Sequence, residues 1–488
     1  MSAYILCGFF IEDSSHFNVS TKVDTTSSSV KTSPNSLGTS NIGKLLVQYS
    51  LPAIIASLAT SLYNIVDSIF IGRGVGAMAI TGLAITFPLM NLVVAFCVLI
   101  AVGGATVSSI FLGQKNIDKA GLVVGNVVLV CVIHALVITT GTMFFLDPIL
   151  YFFGATHETI SYAREFMQVI VLATPISYVF LGLNNLMRAT GYPKKAMISA
   201  LLSVAVNVVF APLFIFVFDW GIRGAALATV LGQMAAFVWV LAHFCSKKSF
   251  IHFTRGCWKL SWDLIKRMYA IGMSPFLMNC CACLVVVFIN KALLDSAGVS
   301  GNLAVGAYGI INRTSMFFVM IIFGVTQGMQ PILGYNFGAA NWSRVSQTLK
   351  KGVIIGSAVA TIGWVLTEAI PDVISSMFTT ERAMIDIARE GFRIFFIFYP
   401  FVGAQIVIQN YFQSIGKPKL SIFLSLTRQL IFLLPLLWIL PPKYGVDGVW
   451  IAMCTSDFIA CALAIGTVLV MNKRIAKRLN AAQHNSNA

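Results

Sequence analysis

Charge is scarce in this chain. Only 10% of its 488 residues are Asp, Glu, Lys or Arg and 57% are hydrophobic, whereas a typical soluble domain has about 25% charged residues. The mean hydropathy of +0.84 agrees with this composition. So apolar a chain cannot remain in solution, which excludes a soluble globular protein. The chain is therefore divided into membrane spans, each of about 20 apolar residues.

The motifs of common enzyme classes are also missing. There is no HExxH, GxSxG or GxxxxGK[ST] sequence, which excludes zinc proteases, serine hydrolases and P-loop ATPases. None of the six histidines stands at a metal-ligand spacing, and most of the ten cysteines lie in apolar runs as small packing residues. We therefore expect neither an enzyme nor a bound metal or cofactor.

Acidic residues are outnumbered. The chain has 18 Asp and Glu against 33 Lys and Arg, a net charge of +15. A basic chain can bind nucleic acid, but here the basic residues form short clusters between long apolar runs. Because that placement is typical of membrane orientation, we expect no nucleic-acid partner.

Twelve apolar runs follow from Lys44 onward. Helices satisfy their own backbone hydrogen bonds inside a bilayer, so the runs predict an all-α polytopic membrane protein with 12 transmembrane helices. The runs cover residues 45–71, 79–111, 120–146, 159–187, 196–217, 221–245, 264–290, 303–333, 348–370, 383–412, 420–440 and 446–471.

The segments around these runs divide the chain. Residues 1–43 are rich in Ser and Thr and are predicted to form a disordered tail. An N-terminal lobe is expected at 44–246, a cytoplasmic linker at 247–263, a C-terminal lobe at 264–472 and a basic cytoplasmic tail at 473–488.

Lys and Arg are distributed unevenly between the two sides of the membrane. If the N-terminus is cytoplasmic, 23 of them lie in cytoplasmic segments and 6 in external segments. Cytoplasmic loops are enriched in Lys and Arg. We therefore expect a multi-pass plasma (bacterial inner) membrane protein with both termini in the cytoplasm.

The two halves of the chain repeat each other. The sequence NNLMRATGYPKKAMIS from Asn184 corresponds to QNYFQSIGKPKLSIFLS from Gln409, at an offset of 225 residues. Each copy has six spans, an even number, so the copies have the same orientation and a symmetry axis along the membrane normal. This predicts two six-helix lobes related by a parallel internal repeat. Within two residues, the same offset relates Gly113 to Gly338, Asp147 to Asp372, Pro175 to Pro400 and Pro52 to Pro275.

Several stretches resemble one transporter family. They are LPAIIASLATSLYNIVDSIFIGRGVGAMAITGLAITFPLMN (51–91), MRATGYP (187–193), QGMQPILGYNFGAAN (327–341), FQSIGKP (412–418) and LTRQLIFLLPLLWILPPKYGVDGVWIAMCTSD (426–457). Together they resemble the multidrug and toxic compound extrusion (MATE) family over residues 44–472. The resemblance implies a V-shaped, two-lobed fold that exchanges protons or sodium ions for organic, often cationic, drugs.

Asp67 is the strongest candidate for a functional residue. It lies near the outer end of the first apolar run, and an ionisable residue inside a span is costly and usually functional. Tyr63 and Asn64 precede it at helical spacing, so these side chains share a polar face, and Asn64 is predicted to belong to the cation-coupling site with Asp67. A structural Asp satisfied by hydrogen bonds is the alternative. The repeat equivalent is Asn290, which cannot titrate, so a switch of this kind belongs to the N-terminal lobe.

The family resemblance adds Asn207 and Thr229. It implies a cation site made of an Asp on the first helix, an Asn and an Asp on the fifth and a Thr on the sixth, which correspond here to Asp67, Asn207, Ala211 and Thr229. Ala211 replaces an acid, and hard cations require several oxygen ligands. Sodium coupling is therefore in doubt, and the coupling ion stays open between H⁺ and Na⁺. Without the resemblance, Asn207 and Thr229 are read as polar helix-packing residues.

The substrate cavity and one ion pair complete the predicted sites. The substrate cavity is expected to be apolar and adaptable. Its candidate polar lining residues are Tyr63, Asn184, Asn290 and Gln409.

Arg428 and Asp457 lie on the last two runs at equal distances from the connecting loop, so antiparallel helices bring them to the same depth. Charges inside a membrane usually pair. A structural ion pair is the preferred interpretation, and a part in coupling is the alternative.

These features predict a cation-coupled antiporter that exports small, often cationic or amphipathic compounds by alternating access. Its expected partners are drug-like small molecules and the lipid bilayer, and we expect a monomer. A flippase for lipid-linked oligosaccharides, from the same superfamily, is the alternative. It would favour an Arg-rich cavity for pyrophosphate, and Arg313 is the only Arg in the eighth run.

Overall fold

The structure is a computed structural model that describes residues 35–246, 249–254 and 256–486. All regular secondary structure within these residues is helical. The predicted disordered tail up to residue 34 and parts of the predicted linker therefore lie outside the described residues.

The N-terminal lobe follows a short first helix. A π-helical turn, Leu213–Val217, separates the last two helices of this lobe. The helices are α1 (Asn35–Thr39), α2 (Ile42–Gly74), α3 (Ala77–Gly113), α4 (Ile117–Phe144), α5 (Leu146–Phe152), α6 (Ile160–Leu172), α7 (Thr174–Ala189), α8 (Pro193–Pro212) and α9 (Gly221–Cys245).

The C-terminal lobe repeats this order. Here a π-helical turn, Thr427–Phe432, lies in the middle of the fifth span of the lobe. The helices are α10 (Trp262–Ala297), α11 (Gly301–Gly338), α12 (Trp342–Ala369), α13 (Pro371–Ser376), α14 (Arg382–Phe395), α15 (Tyr399–Ser414), α16 (Pro418–Leu426), α17 (Leu433–Ile439) and α18 (Pro441–Ser486).

These helices provide twelve membrane spans. Ten segments are long and apolar enough to cross a membrane by themselves, and the bent pairs α6–α7 and α14–α15 each make one further span. The two bends, of 55° and 59°, occur at equivalent places. Pro175 and Pro400 lie in the first turn of the second helix of each pair, where a proline is tolerated. The predicted all-α fold of twelve spans in two lobes is confirmed.

The parallel repeat also governs how the lobes meet. Helices α3 and α11 are equivalent and pack against each other. A Cβ atom on Gly113 would lie 1.9 Å from the carbonyl oxygen of Tyr335, and one on Gly338 would lie 2.1 Å from the carbonyl oxygen of Ile110. Both glycines and both carbonyls are 225 residues apart. The crossing is therefore symmetric, as a parallel repeat requires.

The closest approaches of the lobes lie towards one end of the bundle. At this end α10 also meets α3, and a Cβ on Gly272 would lie 1.7 Å from the carbonyl oxygen of Leu99. The lobes are thus joined backbone to backbone near this end. We call it the basic end because it carries Lys44, Lys115, Lys119, Lys194, Lys195, Arg344, Lys350, Lys351, Lys417 and Lys419.

The segment before the first long helix is ordered, which corrects the predicted disorder of residues 35–43. Helix α1 packs on the C-terminal lobe, and Leu37 is fully buried. The carbonyl oxygen of Leu37 accepts hydrogen bonds from Asn336 Nδ2 at 3.0 Å and from Arg344 Nη2 at 3.1 Å. Arg344 Nη2 also donates to the carbonyl oxygen of Ser40 at 2.6 Å. The burial of Leu37 and the hydrogen bonds to two backbone carbonyl oxygens hold the segment in place. The polar composition of residues 35–43 gives no sign of these contacts.

The described part of the linker is fixed to the N-terminal lobe. Asn126 on α4 donates to the carbonyl oxygen of Lys259 at 3.0 Å and accepts from the amide of Ser261 at 2.9 Å. These bonds position the start of α10. Further along the same two helices, the hydroxyl of Tyr269 hydrogen-bonds His134 Nε2.

Candidate functional site in the N-terminal lobe

Asp67 lies on α2 inside the N-terminal lobe. The residue is 6% exposed, and its Oδ1 has no hydrogen-bond partner among the described residues. Such an oxygen is unusual, because a polar atom taken out of water without a partner is energetically unfavourable. The carboxyl group of Asp67 is therefore available to bind a proton or another cation.

Three polar side chains from different spans meet one helical turn from Asp67. Tyr63 on α2 hydrogen-bonds Thr229 on α9, with 2.9 Å between the two hydroxyl oxygens. Asn207 Nδ2 on α8 donates to Thr229 Oγ1 at 3.0 Å and approaches the Tyr63 hydroxyl at 3.5 Å. We call these three residues the N-lobe cluster. It connects the first, fifth and sixth spans of the lobe beside the buried carboxyl group.

The cluster contains few ligands for a hard cation. Ala211 lies one turn after Asn207, is fully buried and supplies no side-chain oxygen. Directly after it, α8 passes into the π-helical turn, an element frequent at functional sites. Within the described ranges, no three His, Cys, Asp or Glu side chains are grouped so that they could hold a metal ion. Asp67 and the N-lobe cluster together therefore offer a hard cation a single carboxyl group.

Two other predicted site residues are not part of the cluster. Asn64 neighbours Tyr63 in the sequence but is exposed, and its carbonyl oxygen accepts from Ser68 Oγ at 2.8 Å. Asn290, the repeat equivalent of Asp67, lies in the C-terminal lobe, and its Oδ1 is buried without a partner in the described chain. The two lobes thus leave the same side-chain oxygen unbonded at equivalent positions.

Asn184 and Gln409 join neighbouring helices within their own lobes. Asn184 Nδ2 on α7 donates to the carbonyl oxygen of Ala196 at 3.0 Å and to Ser199 Oγ at 2.5 Å, both on α8. Gln409 Nε2 on α15 lies 3.3 Å from Met278 Sδ on α10. Both residues are buried, so their side chains pack within a lobe and do not line an open cavity.

The C-terminal lobe contains an ion pair. Arg428 Nε donates to Asp457 Oδ1 at 2.7 Å, at the depth that the sequence predicts. Ser456 Oγ donates to the carbonyl oxygen of Arg428 at 2.6 Å. Arg428 lies in the π-helical turn between α16 and α17, so its backbone is held by α18 as well as by its own helix.

Sequence reasoning missed the polar contacts between the lobes. Arg188 at the end of α7 hydrogen-bonds Gln327 on α11, and Gln330 Nε2 donates to Thr106 Oγ1 on α3 at 2.7 Å. These contacts help to hold the lobes together in the half near the basic end. The available signal was the pair of glutamines in the otherwise apolar stretch QGMQP (327–331).

Comparison with known sequences agrees with this architecture. The family described as MatE matches residues 52–213 and 271–439. The multidrug export protein MepA of Staphylococcus haemolyticus is 26% identical over 436 residues, which covers 89% of this chain and 95% of MepA. MepA of Staphylococcus aureus strain N315 is 25% identical with the same coverage.

Solved structures are similar along nearly the whole chain. The MATE multidrug transporter DinF-BH, solved in complex with rhodamine 6G, is 34% identical with a TM-score of 0.82, covering 90% of this chain and 97% of DinF-BH. A MATE in the bent conformation is 20% identical with a TM-score of 0.86, covering 92% and 99%. The second likeness shows the shared fold alone.

Proposed function

The chain belongs to the MatE family of membrane transporters, and from this membership we propose that it is a cation-coupled antiporter that exports small, often cationic or amphipathic organic compounds. Alternating access between the two lobes would move the substrate. The names of its relatives support multidrug export as the activity. The coupling ion and the direction of exchange rest on the physical argument that follows.

The observation that supports coupling is the unpartnered carboxyl oxygen of Asp67. As a carboxylate, Asp67 attracts a cationic substrate, and as a neutral acid it does not. A proton that arrives from outside would therefore weaken substrate binding and favour release. Loss of that proton to the cytoplasm would restore the carboxylate. An elementary charge that crosses the membrane gains about 2.3 kcal/mol per 100 mV, which is sufficient to bias this cycle.

A proton is the coupling ion that the site favours. Asp67 is the only acid contributed by the four positions that the family resemblance assigns to the cation site, because Ala211 stands at the second acidic position. The N-lobe cluster would then act as a neutral support that positions the helix of Asp67. Neutralisation of Asp67 would change the packing between α2 and the helices that hold Asn207 and Thr229.

The basic end of the bundle is proposed to face the cytoplasm of a plasma membrane. Lys and Arg are enriched in cytoplasmic loops, and the lobes are joined by backbone contacts near this end. The present conformation would therefore be closed towards the cytoplasm and open towards the outside. Because one chain holds both lobes, a monomer would suffice for transport. A lipid-linked oligosaccharide flippase remains the alternative, although Arg313 is the only Arg in the eighth span.

Efflux from inverted membrane vesicles tests the coupling. Accumulation of rhodamine 6G should depend on the proton gradient and persist when the sodium gradient alone is collapsed. The opposite pattern would assign sodium as the coupling ion. Accumulation that survives collapse of both gradients would contradict antiport altogether. Transport of a lipid-linked oligosaccharide without drug accumulation would favour the flippase.

A further inference from the structure

The ion pair between Arg428 and Asp457 uses fewer hydrogen bonds than the pair between Arg164 and Asp147 in the N-terminal lobe. Arg164 binds Asp147 with two parallel hydrogen bonds, Nε to Oδ1 at 2.7 Å and Nη2 to Oδ2 at 2.5 Å. Arg428 uses only Nε towards Asp457. Neither terminal amino group of Arg428 makes a hydrogen bond to the described chain. The outer edge of this guanidinium therefore keeps its donors available.

The accessible partner of the pair is the arginine. The side chain of Arg428 is 27% exposed, whereas that of Asp457 is 9% exposed. A ligand that approaches the pair would consequently meet N–H donors and positive charge. Asp457 is the more buried partner and accepts a hydrogen bond from Nε alone, which leaves Nη1 and Nη2 for a ligand.

The position of Arg428 in the membrane determines what can surround its exposed edge. Arg428 lies at the middle of the span Pro418–Ile439. A guanidinium at this depth must face the bundle interior or a water-filled cavity, because contact with hydrocarbon is strongly unfavourable. Its partner Asp457 is buried on α18, which packs against α10, α14 and α15, and this places the pair on the interior side of the lobe.

We infer that Arg428 is a substrate-binding residue that accepts the carboxylate of a zwitterionic substrate, with Asp457 as its positioning residue. A planar guanidinium binds a carboxylate through two parallel N–H bonds, a geometry that lysine cannot provide. The inference rests on the proposed export function and specifies its substrate class. The N-terminal lobe offers a carboxyl group at Asp67 and the C-terminal lobe offers a guanidinium. A compound with an ammonium group and a carboxylate matches both.

A matched pair of fluorescent probes tests this assignment. Rhodamine 6G is an ethyl ester and carries only positive charge, and its free acid, rhodamine 19, has the same ring system with a carboxylate. Binding of both is measured by fluorescence polarisation on the full-length protein in detergent, without any ion gradient. Arg428→Gln should weaken binding of rhodamine 19 by at least tenfold and binding of rhodamine 6G by less than twofold. Arg428→Lys should lie between wild type and Arg428→Gln for the acid.

A second variant separates ligand binding from folding. Arg428→Gln leaves Asp457 buried without its partner, so the double variant Arg428→Gln/Asp457→Asn, which is neutral at both positions, is measured beside it. Loss of rhodamine 19 binding with retained rhodamine 6G binding in this folded double variant supports the assignment. Equal changes for the acid and the ester, or wild-type affinity for the acid, overturn it. If wild-type protein neither binds nor exports rhodamine 6G, the proposed export function fails, which is a separate result.

Discussion

The two lobes share the same helix arrangement but differ in whether their buried acid has a charged partner. In the N-terminal lobe, Asp67 is buried with a carboxyl oxygen that has no partner in the described chain. In the C-terminal lobe, the equivalent residue is Asn290, and the buried acid is Asp457, which is compensated by Arg428 at 2.7 Å. One lobe therefore has an uncompensated acid and the other a neutral pair.

The shared scaffold shows which features the fold itself requires. Asn116 and Asn341 cap the helices after the second and eighth spans, accepting hydrogen bonds from the amides of Lys119 and Arg344. These caps are 225 residues apart, as are the bends of the fourth and tenth spans. We attribute features that occur in both lobes to the fold. Residues that differ between equivalent positions are the candidates for a function specific to one lobe.

The largest effect is expected on efflux, from substitution of Asp67, the acid without a charged partner. Asp67→Asn should abolish gradient-driven efflux, because an amide cannot exchange a proton, while the protein still folds and reaches the membrane. Efflux in inverted vesicles at several pH values, with the amount of protein in the membrane quantified, measures this. Wild-type efflux with wild-type pH dependence would show that Asp67 is structural.

A matched control uses the symmetry of the lobes. Asn290→Asp places an acid at the equivalent position, where the C-terminal lobe has Leu430 and Met453 at the places of Asn207 and Thr229 by the same offsets. In the Asp67→Asn background this acid should not restore coupling. Restored efflux would mean that the scaffold alone suffices and that the N-lobe cluster has no specific role.

The next largest effect is expected on stability, from substitution in the ion pair of Arg428 and Asp457. Arg428→Leu should lower the free energy of unfolding by about 3–5 kcal/mol, because it leaves a buried charge without a partner. The double variant Arg428→Leu/Asp457→Leu should be less destabilised than either single variant. Thermal unfolding in detergent compares the three variants. Additive losses would indicate that the two side chains do not interact.

A smaller effect is expected where the lobes meet. Gly272→Leu introduces a side chain where a Cβ would already lie 1.7 Å from a carbonyl oxygen, and such overpacking typically destabilises by about 1–3 kcal/mol. Gly309→Leu is the control, since no atom lies within 4 Å of a Cβ at that position. Melting temperatures should fall for Gly272→Leu alone. Equal shifts would contradict the close crossing.

The smallest effect is expected in the N-lobe cluster. Asn207→Ala removes a neutral donor to Thr229, and a net loss of about 0.5–1.5 kcal/mol is typical for such a bond. Efflux should be reduced but remain driven by the gradient, unlike in Asp67→Asn. Complete loss of efflux in a folded Asn207→Ala protein would assign Asn207 a direct part in coupling.

Much of the fold follows from the sequence alone. Long apolar runs predict spans because helices satisfy their backbone hydrogen bonds inside a bilayer, and the fixed offset of 223–225 residues predicts parallel lobes. The ion pair of Arg428 and Asp457 follows from equal distances to one loop. These features depend on local composition and on chain position, which a single sequence contains.

Other features depend on contacts that a sequence does not display. The breaks within the fourth and tenth spans lie inside continuous apolar runs, with Pro175 and Pro400 as the only local signs. The order of α1 depends on a pocket of the other lobe around Leu37. Asn184 and Gln409 are polar in apolar surroundings, which suggests a cavity, yet their partners belong to neighbouring helices of the same lobe.

The glycine crossings affect how easily the lobes can tilt. At Gly113, Gly338 and Gly272 the helices touch through main-chain atoms, so no interlocking side chains have to leave one set of grooves and enter another when the angle changes. Ordinary helix packing relies on such ridges and therefore favours a few discrete crossing angles. A contact between main-chain atoms keeps the two helices close together and offers little resistance to a change in their crossing angle. The molecule can thus keep its halves together at one end while the angle between them varies.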